Sequence, residues 1–311
     1  MPYSEGIEAV LKLEQQLGRF ESTANSDIDW TYLVDGQADI KHQEIAREAE
    51  RRIKEIGTEP GPEGVFGVIA FSHDIVQYIG GRDDTNANLT RRILLLLESK
   101  PVGREDAHRR VVRAVLDRYL TDDYGWIRRT ARFGVSRFLV NDITRYWRTV
   151  AVDFAYKQRT RGNEGWALRS AKLRMSRKLT YAAGLLYCFS LAPADLDDQS
   201  AATPSKAEAI EQLWELTTRT PLDLLASAFD DVSVAEPGMQ VFAAYDEFLG
   251  ILSAPESRSR LKKLTPDEAS TDPVYQHIRE LGRRFQSGLR ALFLPDRPSR
   301  LRRLIEEYGV F

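Results

Sequence analysis

The chain has 311 residues, 42% hydrophobic and 29% charged, a size that suggests one large or two modest domains and a composition able to bury a core. No charged-then-apolar leader and no run approaching ~18 apolar residues is present, which argues against export and membrane spanning and gives a cytoplasmic location as the expectation. Net charge is −2 overall, yet from Arg104 to Lys178 there are 19 Lys/Arg against 8 Asp/Glu, a surplus of 11 that leaves −13 for the rest and points to an anionic ligand such as a nucleoside triphosphate, RNA or DNA.

Along the chain, Glu5 to Gln16 carries apolar residues at Ile7, Val10, Leu11 and Leu13, compatible with a short helix running into a turn at Gly18. The segment Leu17 to Trp30 then combines a glycine turn, a short polar loop and two acids, Asp27 and Asp29, separated by Ile28. Trp30-Thr31-Tyr32-Leu33-Val34 has strand composition. On a strand Asp27 and Asp29 project together while Ile28 points into the sheet. Adjacent carboxylates repel, and a divalent cation relieves them; such oxygen donors suit Mg²⁺ (or Mn²⁺), with substrate phosphate oxygens as further ligands. A glycine nearby lets the backbone approach a phosphate closely.

These residues resemble the active-site motif of the DNA polymerase β-like nucleotidyltransferases, most closely the branch of the bacterial PII-protein uridylyltransferases. That branch reads Gly-Arg-x-Glu, four residues, then Ser-Asp-x-Asp; Gly18, Arg19, Glu21, Ser26, Asp27 and Asp29 fill the pattern without a gap. The match covers about a tenth of the chain, with six specified positions rather than a bare Asp-x-Asp. The resemblance implies an N-terminal α+β domain with a small mixed sheet and flanking helices. It also implies metal ligation by Asp27 and Asp29, and phosphate contacts by Gly18, Arg19 and Ser26.

After the strand, Asp35-Gly36 forms a turn, and Ile40 to Ile56 reads as an amphipathic helix through Ile45, Ala49 and Ile53, with an i,i+4 pair at Glu48–Arg52 and a stop at Gly57. Pro60-Gly61-Pro62 is a loop, Val65 to Ile79 holds a strand plus a short helix, and Gly80 to Asn86 is a polar glycine-rich turn. Leu89 to Ser99 fits helix or strand by pattern, and its apolar run Ile93 to Leu97 suits a buried strand. The resemblance implies a third acid after such a run, which closes the metal site as a further ligand and helps deprotonate the acceptor hydroxyl. Glu98, 69 residues beyond Asp29, fits that shape, with Asp74 as the reserve candidate.

Beyond Ala107, Val111 to Leu120, Phe133 to Tyr156 and Ala167 to Leu191 show helical periodicity. On the middle segment Asn141, Arg145 and Arg148 share one stripe, with Asp142, Tyr146, Thr149 and Asp153 on the neighbouring one; Arg169, Lys172 and Ser176 form a further polar stripe beside Arg177. Arg145, Arg148, Lys172 and Arg177 are candidates to reach the nucleotide or the second substrate, the alternative being interhelix ion pairs with Asp142 or Asp153. Cys188, the single cysteine, sits in Leu185-Leu186-Tyr187-Cys188-Phe189 and reads as a buried thiol. Pro193 to Pro204 reads as an exposed linker. Lys206 to Ser227, Gln240 to Ser253, Val274 to Phe293 and Ser299 to Tyr308 read as further helices, with Thr203 or Ser205 capping the first.

The expected organisation is therefore a catalytic domain over 1–105, a basic helical segment over 106–192 completing the cleft, a linker over 193–205 and a helical domain over 206–311. A P-loop, a dinucleotide fingerprint and a Gly-x-Ser-x-Gly elbow are absent. Four histidines (His42, His73, His108 and His277) with one His-Asp pair do not make a phosphohydrolase site. The expected activity moves a nucleoside monophosphate from a nucleoside triphosphate to a hydroxyl of a protein, RNA or small molecule, with a companion protein conceivable as the supplier of the acceptor. A nucleotide-messenger synthase or RNA-modifying toxin on the same site is the alternative. An inactive nucleotide-binding module is disfavoured by the intact Asp-x-Asp.

Overall fold

The computed structural model describes residues 28–56, 64–127, 132–160, 163–198, 204–231 and 234–309. The expected helix at Glu5–Gln16, the Gly18 turn, the stop at Gly57 and the Pro60-Gly61-Pro62 loop lie outside them. The described chain is mostly helical with a small sheet, consistent with an α+β class, and divides into two compact units.

In the first unit, strand β1 (Thr31–Val34) pairs in parallel with β2 (Val68–Phe71), in register from Thr31↔Val68 to Val34↔Phe71. Among the described residues this parallel pair is the whole sheet, where a mixed sheet was expected. Parallel neighbours need a crossover, and the helix Ile40–Ile56 supplies it, turning Ile53 into the core and keeping its Glu48–Arg52 pair at 2.9 Å. Val65–Ile79 holds a strand plus a short helix, as expected, the helix being Ser72–Gln77 with Ile75 and Val76 buried.

The run Ile93–Leu97 is not a strand. It belongs to the helix Asn86–Leu97, started by the Thr85 side chain accepting from Asn88 N, and Leu89, Ile93, Leu96 and Leu97 are all buried. Their i, i+4, i+7, i+8 spacing and the leucines' helix preference decide the outcome once a cap is present. The helix Glu105–Asp122 buries Val111, Val112, Val115, Leu116, Tyr119 and Leu120, and carries Glu105 and Asp106 where the helix dipole favours acids. Against it packs the helix Lys206–Leu216, closed at its start by a capping box of Ser205 and Glu208. Residues 106–122 and 206–220 thus join the first unit, a division other than the boundaries expected at 105 and 205.

The second unit is helical throughout. Its helices are Arg137–Thr160, Trp166–Arg174, Ser176–Phe189, Pro221–Asp231, Ala235–Ser253, Pro255–Lys263, Pro273–Phe293 and Arg300–Leu304. Ser176–Phe189 buries ten of its fourteen residues, Cys188 among them, its thiol pushed well above the ordinary range by desolvation. Two long predicted helices are divided. Lys206–Ser227 breaks before Pro221, because the residue ahead of a proline avoids helical backbone. Ala167–Leu191 breaks at Met175, whose φ −113 and ψ −83 lie outside the helical basin. Phe133, expected at the start of a helix, instead sits at φ 61 in a 3₁₀ turn, and the helix starts after Ser136, which accepts from Leu139 N.

The start of the expected linker is fastened down. Arg300 donates to the carbonyls of Phe189, Ala192 and Pro193 at 2.9, 2.7 and 2.8 Å, and Arg303 pairs with both oxygens of Asp197.

Candidate functional site

Of the motif residues, Gly18, Arg19, Glu21, Ser26 and Asp27 lie outside the described residues; Asp29 lies within them. Ile28 is buried and Asp29 is exposed, the alternation expected of the approach to a strand, although β1 itself begins two residues later at Thr31. Trp30 is half-buried, and its carbonyl accepts from Gly67 N at 2.7 Å, joining the entry of β1 to that of β2. Gly67 does this at φ 74, a backbone state that favours glycine.

The turn ahead of β2 is held by a residue that the sequence reading missed. Arg91 donates from Nε to Val65 O and from Nη2 to Gly64 O, both at 2.7 Å, and from Nη1 to Asn88 Oδ1. Burial lowers its pKa and the Asp74 carboxylate opposes that shift. Arg92, beside it, turns the other way. Its side chain is 0% exposed and forks onto Asp84 with two 3.0 Å bonds, while Nε donates to Tyr119 Oη at 2.7 Å. Asp84 Oδ2 also accepts from Gly80 N, so the glycine-rich turn before the helix is tied to the core by this one carboxylate. The available signal was a doublet of arginines inside an apolar helical stripe, which burial permits only with partners.

Glu98 does not end a strand. It is the C-cap of Asn86–Leu97, half-buried at φ −140, its N–H donating to Leu94 O at 2.9 Å. Asp74 lies in the first turn of Ser72–Gln77, past the end of β2, whereas Asp29 precedes the start of β1; the whole register of the pair separates them along the sheet. Among the described residues no three His, Cys, Asp or Glu side chains gather as a metal site. Asp27 lies outside that set, and the exposed Asp29 carboxylate is a single hard oxygen donor of the kind Mg²⁺ takes.

A serine–histidine contact lies close by in the chain. Ser99 Oγ is 2.7 Å from His108 Nε2, the ring meets Trp214 edge-on, and burial, helped by the Lys100 charge, pushes the imidazole pKa down to about 4. The hydroxyl also sits 2.7 Å from Leu95 O, to which it donates, so the imidazole is the donor to Ser99. His108 Nδ1 is buried with no hydrogen-bond partner, so nothing orients the ring as a base. This is helix-end packing rather than an activated nucleophile.

The four basic candidates belong to the second unit. Arg145 lies 3.8 Å from Asp142 three residues earlier on the same helix, a contact within the helix and not between helices, and Arg148 is exposed beside Tyr181, whose ring stacks on Trp147 at 5.4 Å and 19°. Arg177 is half-buried one turn before Tyr181, and Lys172 is half-buried on Trp166–Arg174. The stripe next to Arg145 and Arg148 faces inward at Asp142 and Tyr146, both 1% exposed, while Asp153 pairs with Lys157 at 2.7 Å.

No family model, no curated protein and no solved structure matches the chain. Among the described residues no helix is long and apolar enough to cross a membrane.

Proposed function

We propose that this protein is a Mg²⁺-dependent nucleotidyltransferase, transferring a nucleoside monophosphate from a nucleoside triphosphate to a hydroxyl with release of pyrophosphate. The observation that carries this reading is the ungapped pattern from Gly18 to Asp29, leading into an inward Ile28, an outward Asp29 and a strand. Asp27 and Asp29 hold the ion. Bound there, Mg²⁺ offsets the phosphate charge and favours in-line displacement at the α-phosphorus. Gly18, Arg19 and Ser26 supply the phosphate cradle, and Glu98 takes the proton of the attacking hydroxyl. A cytoplasmic location accords with this activity.

The test is incubation with each labelled nucleoside triphosphate, Mg²⁺ and cell extract. Wild type labels a protein, RNA or small product, and Asp27→Ala and Asp29→Ala each abolish the label. Absence of calorimetric binding of any nucleoside triphosphate with Mg²⁺ by the wild type would refute the assignment.

A further inference from the structure

The helix Arg137–Thr160 has an unusual division of labour. Its buried residues, Leu139, Val140, Asp142, Ile143 and Tyr146, all lie in the first half. None of the 14 residues from Trp147 to Thr160 is buried, yet Val152 and Tyr156 are there, 68% and 54% exposed. Helices in proteins owe most of their stability to packing; one side of this half does pack, Trp147 stacking on Tyr181, so two large apolar side chains exposed on the other side mark a surface for something else.

At ~100° per residue, Asn141, Arg145, Arg148, Val152, Tyr156 and Arg159 fall on one stripe, about 27 Å long at ~1.5 Å per residue. Five of the six are exposed, Arg145 being half-buried, and no acid interrupts them. The acids of the same helix lie off the stripe: Asp142 is buried and lies 3.8 Å from Arg145, and Asp153 pairs with Lys157, which leaves the exposed Arg148 and Arg159 as the principal cations of the stripe. Arg159 lies over the Tyr156 ring, its Cζ 6.0 Å from the centroid, so cation and aromatic present one combined surface. From Asp142 to Lys178 the chain carries 10 Lys/Arg against 3 Asp/Glu, a surplus of 7.

Exposed arginines spaced along a helix with an interleaved aromatic match single-stranded nucleic acid. Its phosphates repeat along the stripe, and its bases need a flat π surface. The Asn141 amide and the Tyr156 hydroxyl add donors suited to ribose 2′-hydroxyls, which favours RNA. We propose that this stripe binds a single strand of RNA. Binding by the second unit does not require the transfer reading; that RNA is also the class of acceptor does rest on it.

The experiment is fluorescence anisotropy of the full chain with a labelled oligouridine of about 20 nucleotides, titrated at low and moderate salt. With about three phosphates engaged, the expected slope of log K against log salt is about −2. Arg148→Glu/Arg159→Glu should weaken binding at least about tenfold and bring the slope below about −1 in magnitude. Tyr156→Ala should cost about tenfold with the slope unchanged. All three side chains are exposed, so circular dichroism and melting should match wild type.

Binding by the charge-reversed variant within about twofold of wild type would overturn the proposal, as would absence of wild-type binding at low salt. Equal affinity for the DNA strand of the same sequence would overturn the assignment to RNA. Displacement by polyglutamate together with an unaffected Tyr156→Ala would reduce the stripe to a general polyanion surface. Asp29→Ala should bind RNA like wild type, so a failed transfer assay and a failed binding assay remain separable.

Discussion

Asp84→Asn removes one charge from a site that has no exposure to spare. The Arg92 and Asp84 side chains are 0% and 1% exposed, and the carboxylate accepts from Nη1 at Oδ1 and from both Nη2 and Gly80 N at Oδ2. An asparagine keeps the shape but must place its NH₂ against a donor in either orientation. It also removes the carboxylate charge that faces a buried guanidinium. Breaking a buried pair from one side costs about 3–5 kcal/mol, which for a unit of this size lowers the melting temperature by about 10–15 °C. Arg92→Met, which strands the carboxylate instead, should cost a similar amount. Asp84→Ala/Arg92→Met buries no charge and should be less damaging than the two single changes together, with a coupling of at least about 2 kcal/mol. Urea titrations followed by circular dichroism and calorimetric melts measure all three variants. A cost below about 1 kcal/mol for Asp84→Asn, or simple additivity in the cycle, would show that the pair does not hold the Gly80–Thr85 turn as argued.

Two further outcomes follow from packing and protonation. A Cβ on Gly288 would lie 2.9 Å from Pro237 O and nearer still to Val241 Cγ2. Gly288→Ala should therefore destabilise the second unit by about 1–3 kcal/mol. Gly250→Ala, in the helix Ala235–Ser253 with nothing within 4 Å, should instead gain up to about 1 kcal/mol, and urea midpoints falling in the opposite order would contradict the close helix approach. His108 has a folded-state pKa of about 4, below its ordinary 6.5, so between those values the unfolded chain holds the extra proton. The stability contributed by keeping this ring neutral is then fully present above pH ~6.5 and is lost as pH falls through about 4, up to about 3 kcal/mol. Wild type minus His108→Phe, titrated over that window, should show this slope; a flat difference would mean that the ring is not desolvated.

What the sequence made legible, and what it hid, follows from what a periodic pattern contains. The helix Ile40–Ile56 and the strand-then-helix over Val65–Ile79 were readable because their apolar spacing is local and their ends carry turn residues. Ile93–Leu97 was misread because a five-residue apolar run fits either period. The deciding residues were Thr85, a cap eight positions upstream, and Leu89, which extends the stripe. Pro193–Pro204 looked like a linker because it is polar, yet Arg300, more than a hundred residues on, binds its first carbonyl and that of Ala192 just before it. The candidate site shows the same limit. Asp29 and Glu98 are legible as acids after apolar or glycine punctuation, but nothing local to Glu98 says that it caps a helix rather than ends a strand. Arg91 and Arg92 make the point most sharply. Adjacent on a helix, they point ~100° apart, one holding the turn at Gly64 and Val65, the other sealed against Asp84 and Tyr119. In the sequence they are one basic doublet; tertiary contact divides it into a residue that shapes the Asp29 end of the sheet and one that fixes the turn before the helix bearing Glu98.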